Sequence, residues 1–183
     1  RGRRVLDVFC ADGGFGLQAA AAGAASVHLL DVSAVALERV ADNAERNGLR
    51  DRITLEQADA LDRMGAMVDE GIRYDVVILD PPAFAKSRRQ VEQATKAYQR
   101  INITALQMLE PGGVLATASC SQAISEGDFV KIVEYAAKRT GSALRLLYRG
   151  TQPPDHPVLE AMPETHYLKF FVFQKLGDEL PGF

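Results

Sequence analysis

Apolar positions fall in short continuous blocks along this chain, separated by longer stretches in which they recur every three or four residues. Residues 5–9, 27–30, 53–55, Tyr74–Leu79 and 114–118 are largely apolar runs bounded by turn residues, the pattern of strands buried on both faces. The intervening stretches have helical spacing. An alanine-rich helix is predicted over about 17–22. Ser33 is placed to cap a second, whose apolar stripe is Val35, Leu37, Val40, Ala41 and Ala44 and which Asn47-Gly48 ends. A third helix is predicted around 61–69 and a long fourth from about 91 to 109. Pro111-Gly112-Gly113 then breaks the pattern before the fifth strand. Ser125 with Asp128 three residues on opens a fifth helix that runs to Arg139. Residues 144–148 and 167–174 read as two late strands with no helix between them, only a long proline-rich connection over 150–164.

Strands alternating with helices imply an α/β fold, a mostly parallel sheet with helices on both faces. The last two strands, lacking a crossover helix, are expected to form an antiparallel edge pair. The 183 residues suit one domain over 1–183, with no internal repeat, low-complexity tract or second domain. The hydrophobic fraction is 47% and no apolar run approaches the ~20 residues of a membrane helix, so no membrane partner is expected. The start, Arg1-Gly2-Arg3-Arg4, has no Met and no signal-peptide pattern and reads as part of a longer protein. Two cysteines, Cys10 and Cys120, show no zinc-ligand spacing, which points to a reduced, cytoplasmic protein without a metal. A net charge of −3 argues against a general polyanion binder, so nucleic acid would have to meet a local basic patch.

Open sheets of this kind bind ligands at the carboxyl ends of their strands. Polar residues stand at those ends: Asp7 with its glycine turn, Asp31, Asp59, Asp80 and Cys120. Gly13, Gly14 and Gly16 allow close approach of a ligand, and Asp31 is placed to accept from two ribose hydroxyls. A nicotinamide dinucleotide would want G-x-G-x-x-G. The glycines here read G-G-x-G, and Asp7 and Asp12 would repel a pyrophosphate while suiting a cationic sulfonium and its amino group. S-adenosylmethionine fits better, with Asp59 toward the adenine amino group. Downstream, Asp80-Pro81-Pro82-Ala83-Phe84 makes a stiff carboxylate platform, and Cys120 ends the next strand in Ser119-Cys120-Ser121. Lys86, Arg88 and Arg89 follow the platform and suit phosphates beside a bound base. Cys10 follows a buried strand without such a motif and is expected to pack.

These segments resemble the class I S-adenosylmethionine-dependent methyltransferases, and more closely the RlmI-like bacterial enzymes that methylate carbon-5 of cytosine in large-subunit ribosomal RNA. The resemblance is carried by Phe9-Cys10-Ala11-Asp12-Gly13-Gly14-Phe15, by Asp80-Pro81-Pro82-Ala83-Phe84, by Ser119-Cys120-Ser121, and by Asp155-His156-Pro157 with Pro163-Glu164 and Tyr167-Leu168-Lys169. It implies a Rossmann-like, seven-stranded sheet with the last strand antiparallel, and an amino-terminal PUA-type RNA-binding region that is not in these residues. It implies that S-adenosylmethionine is held by Asp7, Phe9, Gly13, Gly14, Phe15, Asp31, Asp59 and Asp80. Large-subunit ribosomal RNA would meet Pro81, Pro82, Phe84, Lys86, Arg88 and His156. Cys120 would add to carbon-6 of a flipped cytosine while Asp80 holds the nitrogen-3 and amino edge. The chain departs from the pattern at Ala11-Asp12, where Tyr-Thr is frequent, and at Lys169-Phe170, where Lys-Gly is. Ala83 and Phe84 stand where many RNA cytosine methyltransferases carry a second cysteine, so the base that removes the carbon-5 proton is unnamed. Methylation of an amino nitrogen of guanine or adenine is the runner-up, and a non-catalytic S-adenosylmethionine- or RNA-binding module the alternative of another class. A dehydrogenase is remote. A homodimer stays open.

Overall fold

Ser33 begins a helix because its hydroxyl accepts the Ala36 N–H at 3.2 Å, and Asp59 and Ser125 do the same service for two others. These caps set the phase of an alternating chain. The computed structural model describes residues 1–85, 87–154 and 156–177. Strands β1 (Arg4–Val8), β2 (Ser26–Asp31), β3 (Ile53–Gln57), β4 (Tyr74–Leu79) and β5 (Leu109–Ser119) alternate with helices α1 (Gly14–Ala21), α2 (Ala34–Arg46), α3 (Ala60–Asp69) and α4 (Val91–Met108). After β5 come α5 (Glu126–Arg139), β6 (Leu144–Gly150) and β7 (Lys169–Lys175).

The seven strands lie in the order β3-β2-β1-β4-β5-β7-β6. Strands β1 to β5 pair in parallel, and β7 runs antiparallel to both β5 and β6. The late antiparallel pair is therefore present, but it is not simply added at the edge. Strand β7 inserts between β5 and β6, with Lys169 opposite Ser119 and Phe170 opposite Ala118. The edge falls to β6, which leaves Leu146, Leu147 and Tyr148 exposed. Strand order reverses at β1, whose neighbours are β2 and β4, so a crevice opens above the carboxyl ends of β1 and β4.

Alternate residues of the central strands feed two cores. Leu6, Val8, Leu30, Val77, Leu79 and Leu115 pack with Met64 of α3, Tyr98, Ile101 and Leu106 of α4, and Phe129 of α5. Val5, Val27, Leu29, Ile78 and Ala116 pack on the other face with Ala20 of α1 and Leu37, Val40 and Ala44 of α2. An aromatic row, Phe84–Tyr98–Phe129–Phe171–Phe173, runs through the first core with successive centroids 4.7 to 6.0 Å apart.

Two details differ from the sequence pattern. Val35 is exposed and Ala36 takes the buried place, because capping at Ser33 rotates the first turn of α2. Pro111-Gly112-Gly113 does not stand outside the fifth strand. Strand β5 begins at Leu109 and carries the three residues through a register shift opposite Tyr74 and Val76. Gly112 has φ +80, and a Cβ on Gly113 would stand 2.8 Å from the Glu110 carbonyl oxygen. A bulge tolerates what a regular strand does not.

Candidate active site

The turn after β1 is held in an unusual backbone shape. Phe9 and Ala11 have φ of 62 and 46, and Gly13 has φ 80. A left-handed non-glycine residue costs on the order of 1 kcal/mol or more, and two sit here in three positions. What holds them is Asp31. Its carboxylate accepts the Ala11 N–H and the Ser33 N–H, both at 2.9 Å, tying the first turn to the end of β2. Phe9 and Cys10 also donate to the Leu30 carbonyl. Cys10 itself is buried in the second core, and burial beside Asp7 and Asp31 pushes its thiol up to about 12.

Asp7 is the buried acid of the site. One oxygen accepts the Gly16 N–H at 2.7 Å; the other is buried without a partner. Burial pushes its pKa up to about 7, with repulsion from Asp80 and Asp31 adding to the rise and the Gly16 N–H opposing it. A Cβ on Gly16 would come within 2.9 Å of that carboxylate and 2.6 Å of Leu29, so only glycine lets the helix start this close. Asp80, at the end of β4, is open to the cleft yet enclosed enough on its other sides for burial to raise its pKa. Asp12 does not join this group: it faces outward and pairs with Arg39 at 2.6 Å. Asp7, Asp31 and Asp80 therefore repel one another with no cation set among them by the ion pairs of the described residues. An orphaned buried carboxylate oxygen inside a triad of acids suits a ligand that is cationic, such as the sulfonium and ammonium of S-adenosylmethionine.

Beside the triad, a cavity of about 230 Å3 is lined by Phe9, Asp31, Val32, Asp59, Ala60, Leu61, Pro82 and Phe84. It has the make-up of an adenosine site: an acid at the ribose end, an acid and apolar walls around the base. One oxygen of Asp59 caps α3 by accepting from Leu61 and Asp62 at 2.9 and 3.2 Å, which leaves the other for a ligand N–H. The structure thus brings Pro82 and Phe84 to the wall of this cavity, on the cofactor side. Phe84 meets Phe9 edge-on at 6.3 Å and Tyr98 at 4.7 Å.

On the far side of Asp80 the thiol is pinned to the platform. Cys120 Sγ lies 3.8 Å from the Pro81 carbonyl oxygen, and Pro81 is itself buried. The flanking serines anchor the segment. Ser121 Oγ accepts the Ala85 N–H at 3.1 Å and bonds the Tyr98 hydroxyl at 3.0 Å, and the Ser121 N–H donates to Ser119 Oγ at 3.4 Å. Burial first, then Asp80, push the Cys120 thiol up, and Lys169 pulls it down. Lys169 is buried at the start of β7 and donates from Nζ to the carbonyls of Ser121 and Tyr167 at 2.7 and 2.8 Å. Ser121, Tyr98 and Lys169 are residues of the candidate site that periodicity did not single out. Only the Ser119–Lys169 register of β5 and β7 could have found the lysine.

A larger cleft of about 750 Å3 opens beside the glycine turn, lined among others by Phe15, Tyr148, Gln152, His166 and Phe170. Phe15 and Phe170 stack with centroids 5.9 Å apart and planes 3° apart. Phe15 thus stands between the glycine turn and this cleft, while Gly13 is buried at the helix start and Gly14 is open. His156 is exposed in the connection before β7, its N–H donating to Pro153; Thr151, Gln152, Pro153, Pro154, His166 and Leu168 are the residues of that connection that line the cleft. Lys86 lies outside the described residues. Arg88 begins a short 3-10 turn whose backbone alone is described, and Arg89 is exposed. No helix among the described residues is long and apolar enough to cross a membrane.

Comparison with known proteins matches this picture. The sequence profile of the S-adenosylmethionine-dependent methyltransferase family covers residues 1–173. A ribosomal RNA large subunit methyltransferase I from Shewanella denitrificans is 43% identical over 173 residues, 94% of this chain and 44% of that protein. The chain thus spans less than half the length of such relatives. Among solved structures, a putative methyltransferase from Streptococcus mutans superposes with a TM-score of 0.82 at 23% identity, covering 94% of this chain and 44% of that one. A putative methyltransferase crystallised with S-adenosylhomocysteine superposes with a TM-score of 0.83 at 23% identity, over 94% and 45% of the two chains.

Proposed function

The chain belongs to the family of S-adenosylmethionine-dependent methyltransferases, and from that premise we propose that it is the catalytic domain of a ribosomal RNA methyltransferase that forms 5-methylcytosine through a Cys120 adduct. The substrate class rests on the relatives named as large-subunit ribosomal RNA methyltransferases. The chemistry rests on one observation: Cys120 Sγ is held 3.8 Å from the Pro81 carbonyl, next to the Asp80 carboxyl and the acid triad. S-adenosylmethionine, when bound, supplies an electrophilic methyl group. Asp7 and Asp80 hold its charged end, Asp31 its ribose, and Asp59, Phe9, Pro82 and Phe84 the rest of its adenosine.

Carbon-5 of cytosine is a weak nucleophile until a thiolate adds at carbon-6. Cys120 supplies the sulfur. Burial raises the Asp80 pKa, which favours the protonated form that donates to nitrogen-3 as the adduct forms. The wall of Pro81 and Pro82 keeps the base from rotating away. Phe15, Phe170 and Tyr148 offer flat faces for unstacked bases in the larger cleft. Lys86, Arg88 and His156 complete the RNA contacts.

The test uses full-length protein with unmodified ribosomal RNA. Cys120→Ala should lower methyl transfer by on the order of a thousandfold or more, and RNA containing 5-fluorocytosine should trap a covalent complex that this variant cannot form. Full activity of Cys120→Ala would sink the adduct. One observation favours the runner-up, methylation of an amino nitrogen. The Cys120 thiol is raised, not lowered, by its burial and by Asp80, and the Pro81 carbonyl is placed as well for an amino N–H as for a thiol. Mapping the product as N-methylguanine or N-methyladenine would establish that reading.

A further inference from the structure

A buried thiol next to a carboxylate is a poor nucleophile unless something stabilises its thiolate, and strand β7 brings such a group. Lys169 is 6% exposed. No carboxylate lies within ion-pair distance of it among the described residues. A buried ammonium is costly without an anion, and buried lysines are normally paired. Here two N–H groups go to neutral carbonyls, Ser121 at 2.7 Å and Tyr167 at 2.8 Å, which leaves the fourth position of Nζ, a lone pair in the amine and an N–H in the ammonium. Ser121, whose carbonyl accepts from Nζ, directly follows Cys120, and the backbone of Lys169 pairs with Ser119 across β5 and β7, so the strand register sets this lysine against the segment that carries the thiol. Among the described residues, Lys169 is the cation that lowers the Cys120 thiol, and Cys120 in turn raises Lys169.

We propose that Lys169 is the positioning residue of Cys120, its amine taking the thiol proton and its ammonium then serving as the counter-ion of the thiolate. The proposal rests on the covalent reading above and names the partner that reading lacks. The step is balanced. The Sγ–H bond breaks and its electron pair stays on sulfur. The Lys169 Nζ lone pair takes the proton. The thiolate then bonds to carbon-6 while the ring's displaced electrons are met by the Asp80 proton at nitrogen-3.

Burial pulls Lys169 down to about 8, with Cys120 opposing, so the amine is available near neutral pH where an ordinary lysine is not. The other titratable groups about this pair are Asp80 from β4, Tyr98 from α4, and Glu126 and His166, which line a small cavity with Lys169. Asp80 works against the thiolate, and Tyr98 is raised by its own burial.

The experiment needs no RNA. The alkylation rate of Cys120 by iodoacetamide is followed against pH in the full-length protein, with Cys120→Ser identifying the signal; Cys10 is buried with its thiol near 12 and contributes little. In the wild type the rate should rise through about pH 8. Lys169→Gln keeps a donor for the two carbonyls and removes the charge; it should cut the rate at pH 7.5 by ~10-fold and move the rise upward. Lys169→Arg keeps the charge and should stay within ~3-fold of wild type in alkylation, while its methyl transfer loses the rise at pH 8. An unchanged profile in Lys169→Gln would make the lysine a mere brace and overturn the proposal. If that variant does not fold, a wild-type thiol that titrates at 9 or above overturns it equally. Failure here with a trapped 5-fluorocytosine complex intact would leave the covalent reading standing; loss of the trapped complex with a normal alkylation profile would do the reverse.

Discussion

The two halves of the cleft solve opposite electrostatic problems. Among the described residues, the half built on β1, β2 and β4 gathers three carboxylates without a paired cation, while the half built on β5 and β7 buries one amine without a paired carboxylate. The first is frustrated until a cationic ligand arrives. The second is frustrated until its thiol ionises. Each half keeps a cost in the resting protein that the reaction relieves, which is the sense in which functional sites store destabilisation. They also differ in how they are assembled. The acids sit on consecutive parallel strands whose ends share one side of the sheet by construction. The thiol and the amine are brought together because one antiparallel strand, whose Lys169 lies 48 residues beyond Ser121, is inserted at a particular register.

The largest break to the acidic half is steric. Gly16→Ala would drive a Cβ to 2.6 Å from Leu29 and 2.9 Å from the Asp7 carboxylate. Neither neighbour can yield easily, since Leu29 is fully buried and Asp7 is 1% exposed. A loss of about 1–3 kcal/mol is expected in denaturant unfolding, together with loss of S-adenosylmethionine binding. The alkylation profile of Cys120 should hold in the folded fraction. If thiol reactivity fell in step with cofactor binding, the two halves would not be separate devices.

A finer test titrates the acids. The folded pKa of Asp7, about 7, lies above its ordinary 3.8. The fold therefore favours the protonated form, and its contribution to stability is full below 3.8 and lost as pH rises through about 7. A cationic ligand favours the ionised form. S-adenosylmethionine affinity should thus strengthen from pH 6 to pH 8 by up to ~10-fold, read by calorimetry with its proton release. Asp7→Asn keeps an acceptor for the Gly16 N–H. It should unfold at a higher temperature than wild type at pH 8 without cofactor, bind S-adenosylmethionine more weakly, and lose the pH dependence. Affinity that is flat in the wild type would show that Asp7 does not answer the ligand's charge.

The same contrast explains what sequence alone could reveal. The strand ends at Asp7, Asp31, Asp59 and Asp80 are legible because a parallel α/β chain puts every such end on one side, whatever the fine geometry. Asp59 shows the limit: its place is legible, but its second task, capping α3 with one oxygen, depends on the backbone. Asp12 shows another, since its pairing with Arg39 is set by the facing turn of α2. The phase of α2 shifts Val35 outward for a local reason, the Ser33 cap. The insertion of β7 between β5 and β6 leaves no mark in periodicity, because an antiparallel strand at either place has the same pattern of side chains. Lys169 therefore looks like an ordinary strand lysine until the register is known, and Pro111-Gly112-Gly113 looks like a break until β4 supplies the partner for a bulge.

The smallest predicted effect separates rigidity from charge in the thiol half. Tyr98 is fully buried in the aromatic row, and its hydroxyl bonds Ser121 Oγ at 3.0 Å. Tyr98→Phe deletes the hydroxyl's hydrogen bonds and leaves the ring contacts with Phe84 and Phe129 in place. Ser121 Oγ still accepts the Ala85 N–H. The expected cost is about 1 kcal/mol in unfolding. Cofactor affinity should change little, because the rings of Phe84 and residue 98 stay packed behind the adenosine cavity. The pH at which Cys120 alkylates should also stay within experimental error, since the charge beside it comes from Lys169, while kcat falls a few-fold as the 119–121 segment loosens. A shifted alkylation profile in Tyr98→Phe would mean that the phenol, and not the lysine, governs the thiol, and the division of labour between anchoring and charge in this half of the cleft would have to be redrawn.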